Sequence, residues 1–154
     1  MSATVRIDRK IHKNVALLMK YLDKKELKKL AKEPAKLLIQ SAKANVPVHA
    51  KPHKRYLNGK VVATYQPGNL KRSIGMVNLK DSFLVWVGPR KAKGNTSGQF
   101  AGSKVDGWYG HFVEYGHGQA AHPYMRPAYE NNKKAIFDML MRNMESKFNE
   151  FNPR

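Results

Sequence analysis

His111, Glu114, His117 and His122 lie close together in the chain, and imidazole nitrogens and carboxylate oxygens are ligands that zinc takes. His111 and Glu114 are one helical turn apart, so a metal site is the first chemistry the residues suggest. Gly116 and Gly118 interrupt any helix that would carry His117, and a zinc site needs a defined ligand pair, a third ligand and outer hydrogen bonds to orient them. Ordinary packing of an aromatic cluster, or of an interface, fits the spacing better, and no metal or cofactor is expected. Ser73 is the other candidate. Its surroundings, Lys71-Arg72-Ser73-Ile74-Gly75, lack the glycine elbow that exposes a nucleophilic serine, and no motif pairs two carboxylates. With no cysteine, thiolate nucleophiles, thiolate zinc sites and disulfides are excluded together. The glycines between Lys93 and Gly107 lack the Gly-Lys-Ser/Thr ending of a phosphate loop. The chain reads as a non-enzyme.

Lys51, Lys54, Arg55 and Lys60, with Tyr56 among them, suggest binding instead of reaction. Cations can track a phosphate backbone while the aromatic ring stacks on a base, although a solvated loop accounts for the same residues. The net charge of +18 and a pI near 10.2 imply attraction to polyanions that salt weakens. The charge is uneven: residues 1 to 60 hold 16 Lys and Arg against 4 Asp and Glu, a net +12. No helix-turn-helix or zinc-finger signature is present, so any DNA contact is expected to be non-specific.

The elements that would position these residues form an α+β pattern in one domain, as 154 residues with 42% hydrophobic content allow. Ile7, Ile11, Val15, Leu18 and Met19 recur at helical spacing over residues 1 to 20. Asp23 and Glu26 have the spacing of a capping box, which places a helix start near Lys24. Its apolar stripe is Leu27, Leu30, Ala31, Leu38 and Ala42. Pro34 should kink or split it, and Asn45-Val46-Pro47 should end it, giving a kinked helix over about 24–45. Asn58-Gly59 between short apolar runs signals a tight hairpin in the basic stretch. Residues 73–79 and 83–88, separated by Lys80-Asp81-Ser82, read as an antiparallel hairpin forming the core of a small sheet. Residues 88 to 107 read as a Gly-rich loop, and Trp108 to Tyr115 as a buried aromatic segment. Phe137, Leu140, Met141, Met144 and Phe148 mark an amphipathic helix over about 127–148, with Pro127 in its first turn. The N-terminus lacks the apolar run of a signal peptide and no stretch is long enough for a membrane span, so a soluble, cytoplasm-like setting is expected.

Five segments in order resemble the neck and tail-completion family of long-tailed bacteriophages, the family that includes the lambda tail-completion protein. They are Ala42-Lys43-Ala44-Asn45-Val46-Pro47; Pro67-Gly68-Asn69-Leu70-Lys71-Arg72-Ser73-Ile74; Val85-Trp86-Val87-Gly88-Pro89; Tyr109 to Gly116; and His122-Pro123-Tyr124-Met125-Arg126-Pro127-Ala128. The resemblance covers most of residues 27 to 148 and implies an α+β subunit without catalysis. It implies a ring, a hexamer or dodecamer, at the head-to-tail junction of the virion. The neighbours it implies are head-completion or connector proteins and tail-terminator or tail-tube proteins, with genomic DNA passing through the lumen. Assembly would take place in the host cytoplasm, with no membrane involved. Residues 48 to 66 and 89 to 107 are longer than the family pattern, and are expected to be mobile in the free subunit and to order on neighbours or face DNA. Glu114, Tyr115, Tyr124, Met125 and Arg126 are the expected interface residues, and for Glu114 and Arg126 a buried or inter-subunit ion pair is weighed against two separate exposed charges.

Overall fold

The computed structural model describes residues 24–78, 84–91 and 106–151. The expected helix over residues 1 to 20, the Asp23 cap, the Lys80-Asp81-Ser82 turn and most of the Gly-rich loop lie outside the described residues.

The first helical region is split, as Pro34 requires. Helix α1 (Lys24–Leu30) is followed by a turn at Ala31 and helix α2 (Lys32–Asn45), with Pro34 in the first turn of α2, where its missing amide costs no internal hydrogen bond. The Ala31 amide still reaches the Leu27 carbonyl at 3.2 Å and the Ala35 amide reaches Ala31 at 3.0 Å, so the axis is interrupted but not lost. Val46, extended before Pro47, ends α2.

Two separate antiparallel ribbons follow. Strands β1 (His53–Leu57) and β2 (Lys60–Tyr65) pair across Asn58-Gly59, which have φ of 50° and 73°. Two successive positive φ values match the right-handed twist of a two-residue hairpin, and an Asn-Gly pair tolerates them. The basic segment is thus a paired ribbon from 53 to 65, with an irregular register at Arg55 and Tyr56. Its outer half is exposed. Pro67 and Gly68 then turn the chain into one short helix, α3 (Asn69–Ser73), so Leu70 and Ser73 belong to a helical turn that precedes the strand. Strands β3 (Ile74–Asn78) and β4 (Val85–Pro89) form the second ribbon, Ile74 opposite Pro89 and Asn78 opposite Val85. This is the hairpin expected over 73–79 and 83–88.

Helix α4 (Gly110–Tyr115) and the 27-residue helix α5 (Met125–Phe151) complete the described chain. The core joins Ala42 and Val46 of the α2 end to Leu70, Ile74, Tyr124 and Ala128, with Leu38, Ile39, Tyr109, Val113 and Met125 around them. Alanines at 42 and 128, both fully buried, bring α2 and α5 close together. Asn132 Nδ2 bonds Ser41 Oγ at 3.0 Å and Asn143 Nδ2 bonds the Leu30 carbonyl at 2.8 Å, tying α5 to the first helical pair along its length.

The inward face of α5 differs from the expected one. Ala128, Asn132, Ile136, Met139, Leu140 and Asn143 are buried or half-buried, whereas Phe137, Met141, Met144 and Phe148 are exposed. At about 100° per residue the two sets lie on opposite sides of the helix. An apolar period shows that a helix has an apolar face, but not which body covers it. Among the described residues no helix is long and apolar enough to cross a membrane.

Candidate interface and basic groove

The arm formed by β1 and β2 meets the body through its base. Tyr65, at the inner end of β2, is buried at 3% exposure, and its hydroxyl donates to Asp106 Oδ2 at 3.0 Å while accepting the Trp108 indole N–H at 2.7 Å. Asp106 is fully buried, and its other oxygen accepts the Trp108 amide at 3.3 Å. Asn69 donates from Nδ2 to the Asp106 carbonyl and to the Tyr109 hydroxyl, and its Oδ1 accepts the Asp106 amide. A buried carboxylate is tolerable only when donors surround it, and these donors join β2, α3 and the aromatic segment at one point. Burial, then the Asp106 carboxylate, pushes the Tyr65 phenol up to about 12, so it stays a neutral donor.

Around this point lies a groove of about 760 Å3 with a mixed lining. Tyr65, Leu70, Trp108, Tyr109 and Phe112 supply the aromatic and apolar wall; Lys51, Lys54 and Arg55 supply cations. The Arg55 guanidinium sits 4.0 Å from the centroid of the Trp108 ring, a cation–π contact that holds its charge over the groove. The His53 ring lies 5.1 Å from Tyr65 and 5.2 Å from Tyr109, centre to centre. Burial among these rings, then the electrostatic influence of His49, lowers its pKa from the ordinary 6.5. Of the expected basic arm, Lys51, Lys54 and Arg55 share the groove. Tyr56 and Lys60 do not line it, and stand exposed beside the Asn58-Gly59 turn.

The second cluster is the start of α5. Glu114, on α4 and 6% exposed, places Oε2 2.8 Å from the Tyr124 amide and 2.9 Å from the Met125 amide, and Oε1 3.0 Å from the Arg126 amide. These are amides that a helix start leaves without internal partners, and the positive end of the helix dipole favours a carboxylate there. Burial alone would raise the Glu114 pKa. The three amides and the Arg126 charge outweigh it and hold the carboxyl below its ordinary value. The expected Glu114–Arg126 ion pair is therefore replaced by a helix cap: Glu114 takes the Arg126 main chain, while the Arg126 guanidinium lies 5.6 Å from the centre of the Tyr115 ring. Tyr124 is 1% exposed and Met125 half-buried, so of the five expected interface residues only Tyr115, at 69% exposure, and Arg126 present side chains to the outside.

Ser73 is fully buried, its hydroxyl donating to the Leu70 carbonyl at 2.7 Å. His111 Nδ1 faces the Trp108 carbonyl at 3.1 Å, and His111 and His117 flank the Phe112 ring at 3.8 and 4.6 Å between centres. His122 is exposed on the connection to α5. Among the described residues no three His, Asp or Glu side chains come together as metal ligands. Sequence reasoning passes over Asn69, Asp106, Trp108, Tyr65 and His53 as a site. Asp106 is an acid in a basic, Gly-rich stretch, and that is its one signal. No family model matches the chain, nor does any curated protein or solved structure.

Proposed function

We propose that the chain is a structural subunit of the head-to-tail junction of a long-tailed bacteriophage, a neck or tail-completion protein that closes a ring of identical copies around a passage for DNA. The observation that carries this reading is the contact between two of the resembling segments. Glu114 of Tyr109–Gly116 caps the helix that His122–Ala128 begins. The polar residue that stands out in those segments does architectural work, and Ser73 of the second segment is enclosed. What the described surface offers is contact: a cationic arm and exposed aromatic and aliphatic side chains. Deleting the gene from its phage is expected to leave filled heads and finished tails unjoined. Joined, infectious particles made without it would end the proposal.

One observation favours a second reading, a freestanding nucleic-acid-binding domain. Arg55 held over Trp108, beside Lys51 and Lys54, resembles the cation-and-ring surfaces that take single strands. Micromolar or tighter DNA binding by the monomer, falling steeply with salt, would favour it; weak binding with ring assembly favours the junction subunit.

A further inference from the structure

The groove beside the arm has a one-sided charge. Among the described residues that line it none is acidic, whereas Lys51, Lys54 and Arg55 are cations and His49, His53 and His117 are imidazoles. The imbalance extends along the chain, because no Asp or Glu occurs from Val46 to Lys80. Asp106, bonded to the wall residues Tyr65 and Trp108, is fully buried. A concave surface of this charge selects an anionic occupant.

The lining also shows which way the groove runs. His53, Lys54 and Arg55 all border it, although successive side chains of a strand point to opposite faces, and β2 contributes only Tyr65 at its inner end. A groove on one face of the ribbon would collect alternate residues from both strands. This one follows the edge of β1 that is turned away from β2, and among the described residues β2 is the one strand neighbour of β1. A strand edge beside a cationic, partly apolar trough is the geometry by which an extended peptide joins a sheet. His53 packs on Tyr65 and Tyr109, and Arg55 lies over Trp108, so both face the body while Lys54 between them faces the other way. A strand added at this edge lays alternate side chains on the half-buried Trp108, Tyr109 and Phe112, and those in between beside Lys54. Apolar and acidic residues in alternation satisfy both faces.

Cations and rings also suit a single strand of nucleic acid, but the groups that would stack on or read a base are engaged. Arg55 covers a face of Trp108, His111 and His117 flank Phe112, and the Trp108 indole N–H and the hydroxyls of Tyr65 and Tyr109 bond within the body. Nor does this chain carry an acidic strand of its own. Its 11 acids are scattered, no two closer than the three positions from Asp23 to Glu26, so the occupant is a different protein.

We infer that the groove receives an extended, acidic segment of a partner protein, paired through its main chain with the outer edge of β1, its acids beside Lys51 and Lys54 and its apolar side chains against the aromatic wall. This goes beyond the junction reading and does not rest on it.

The test uses the full chain and a short labelled peptide that alternates Glu with Val. Fluorescence anisotropy is expected to show saturable binding, which Lys51→Glu with Lys54→Glu weakens at least about tenfold. Lys32→Glu with Lys36→Glu makes the same change of charge at exposed positions of α2 outside the groove, and should leave binding within about threefold. In a strand, alternate amides point to the partner and away from it. N-methylation of one alternate set of peptide amides should therefore abolish binding, and of the other set should spare it. Equal weakening by the two charge reversals would reduce the effect to net charge and overturn the inference. The same response to both methylated sets would overturn the strand pairing. A thymidine oligonucleotide of equal charge that binds more tightly than the peptide, and is lost with Lys51→Glu and Lys54→Glu, would make the groove a nucleic-acid site instead. Absence of saturable peptide binding would also sink the inference. None of these results alters the unjoined-particle phenotype, so the two proposals fail separately.

Discussion

Glu114 shows how one side chain can set the angle between two helices. Its carboxylate satisfies three amides that would otherwise be orphaned at a buried helix start. Replacing it with alanine is expected to cost about 2 kcal/mol, the scale of a lost cap that leaves donors unmet, and urea unfolding would measure it. Glutamine keeps the shape but not the charge, so Glu114→Gln should fall between the two. The pH dependence follows from the depressed folded pKa. The contribution is fully present above the unfolded value and is lost as pH drops below the ordinary 4.5 and through the lower folded value. The wild-type chain should lose stability over that window, and Glu114→Gln should lose less; equal slopes in acid titrations of the two would contradict the cap. In the sequence, Glu114 is conspicuous as a polar residue among apolar neighbours. Its true partners are main-chain amides, which no residue type announces, and so Arg126 looks like its mate. Asp106 and Asn69 are hidden for the same reason, since part of their network runs through backbone groups and the rest joins residues far apart in the chain.

The elements themselves are far more legible. Pro34, Pro47 and Asn58-Gly59 act through local sterics, which is why the split of the first helix, its end and the arm turn are all readable from a few letters. Short-range chemistry also explains the miss at α3: Pro67-Gly68 suggests a turn into a strand, and only the Leu70 and Ser73 contacts show that one helical turn intervenes. Helix α5 is legible as a helix but not in its orientation, because Phe137, Met141, Met144 and Phe148 are as periodic as the residues that pack inward. A Cβ on Gly110 would stand 2.7 Å from Pro89 Cγ and 2.6 Å from the Tyr124 hydroxyl, so Gly110→Ala should force α4 away from β4. The expected loss is about 1–3 kcal/mol, read as a lower melting temperature. At the arm, Gly59 has φ of +73° but open space around it. Gly59→Val should therefore loosen the ribbon with little change in overall melting, a difference that amide chemical shifts of Arg55 to Ala63 would report.

At the scale of the whole molecule, a body held around Tyr124 and Asp106 carries an arm whose outer half, Tyr56, Leu57 and Val61, is exposed. The groove lies where arm and body meet. Trp108→Ala removes both the indole donor to Tyr65 and the ring beneath Arg55. It is expected to free the arm from the body while leaving the α2–α5 pair folded, which limited proteolysis in the 48–66 segment would detect as faster cleavage. Cleavage at the wild-type rate would show that the arm is held elsewhere.

The capped start of α5 also sets a clock for solvent. First-turn amides of a helix normally trade their protons with water quickly, since nothing inside the helix shields them. Here the amides of Tyr124, Met125 and Arg126 are shut behind a carboxylate, so deuterium should enter the beginning of this helix more slowly than its exposed far end. The usual gradient of labelling along a long terminal helix would then be lopsided, with its quietest hours at the very turn where exchange ordinarily starts.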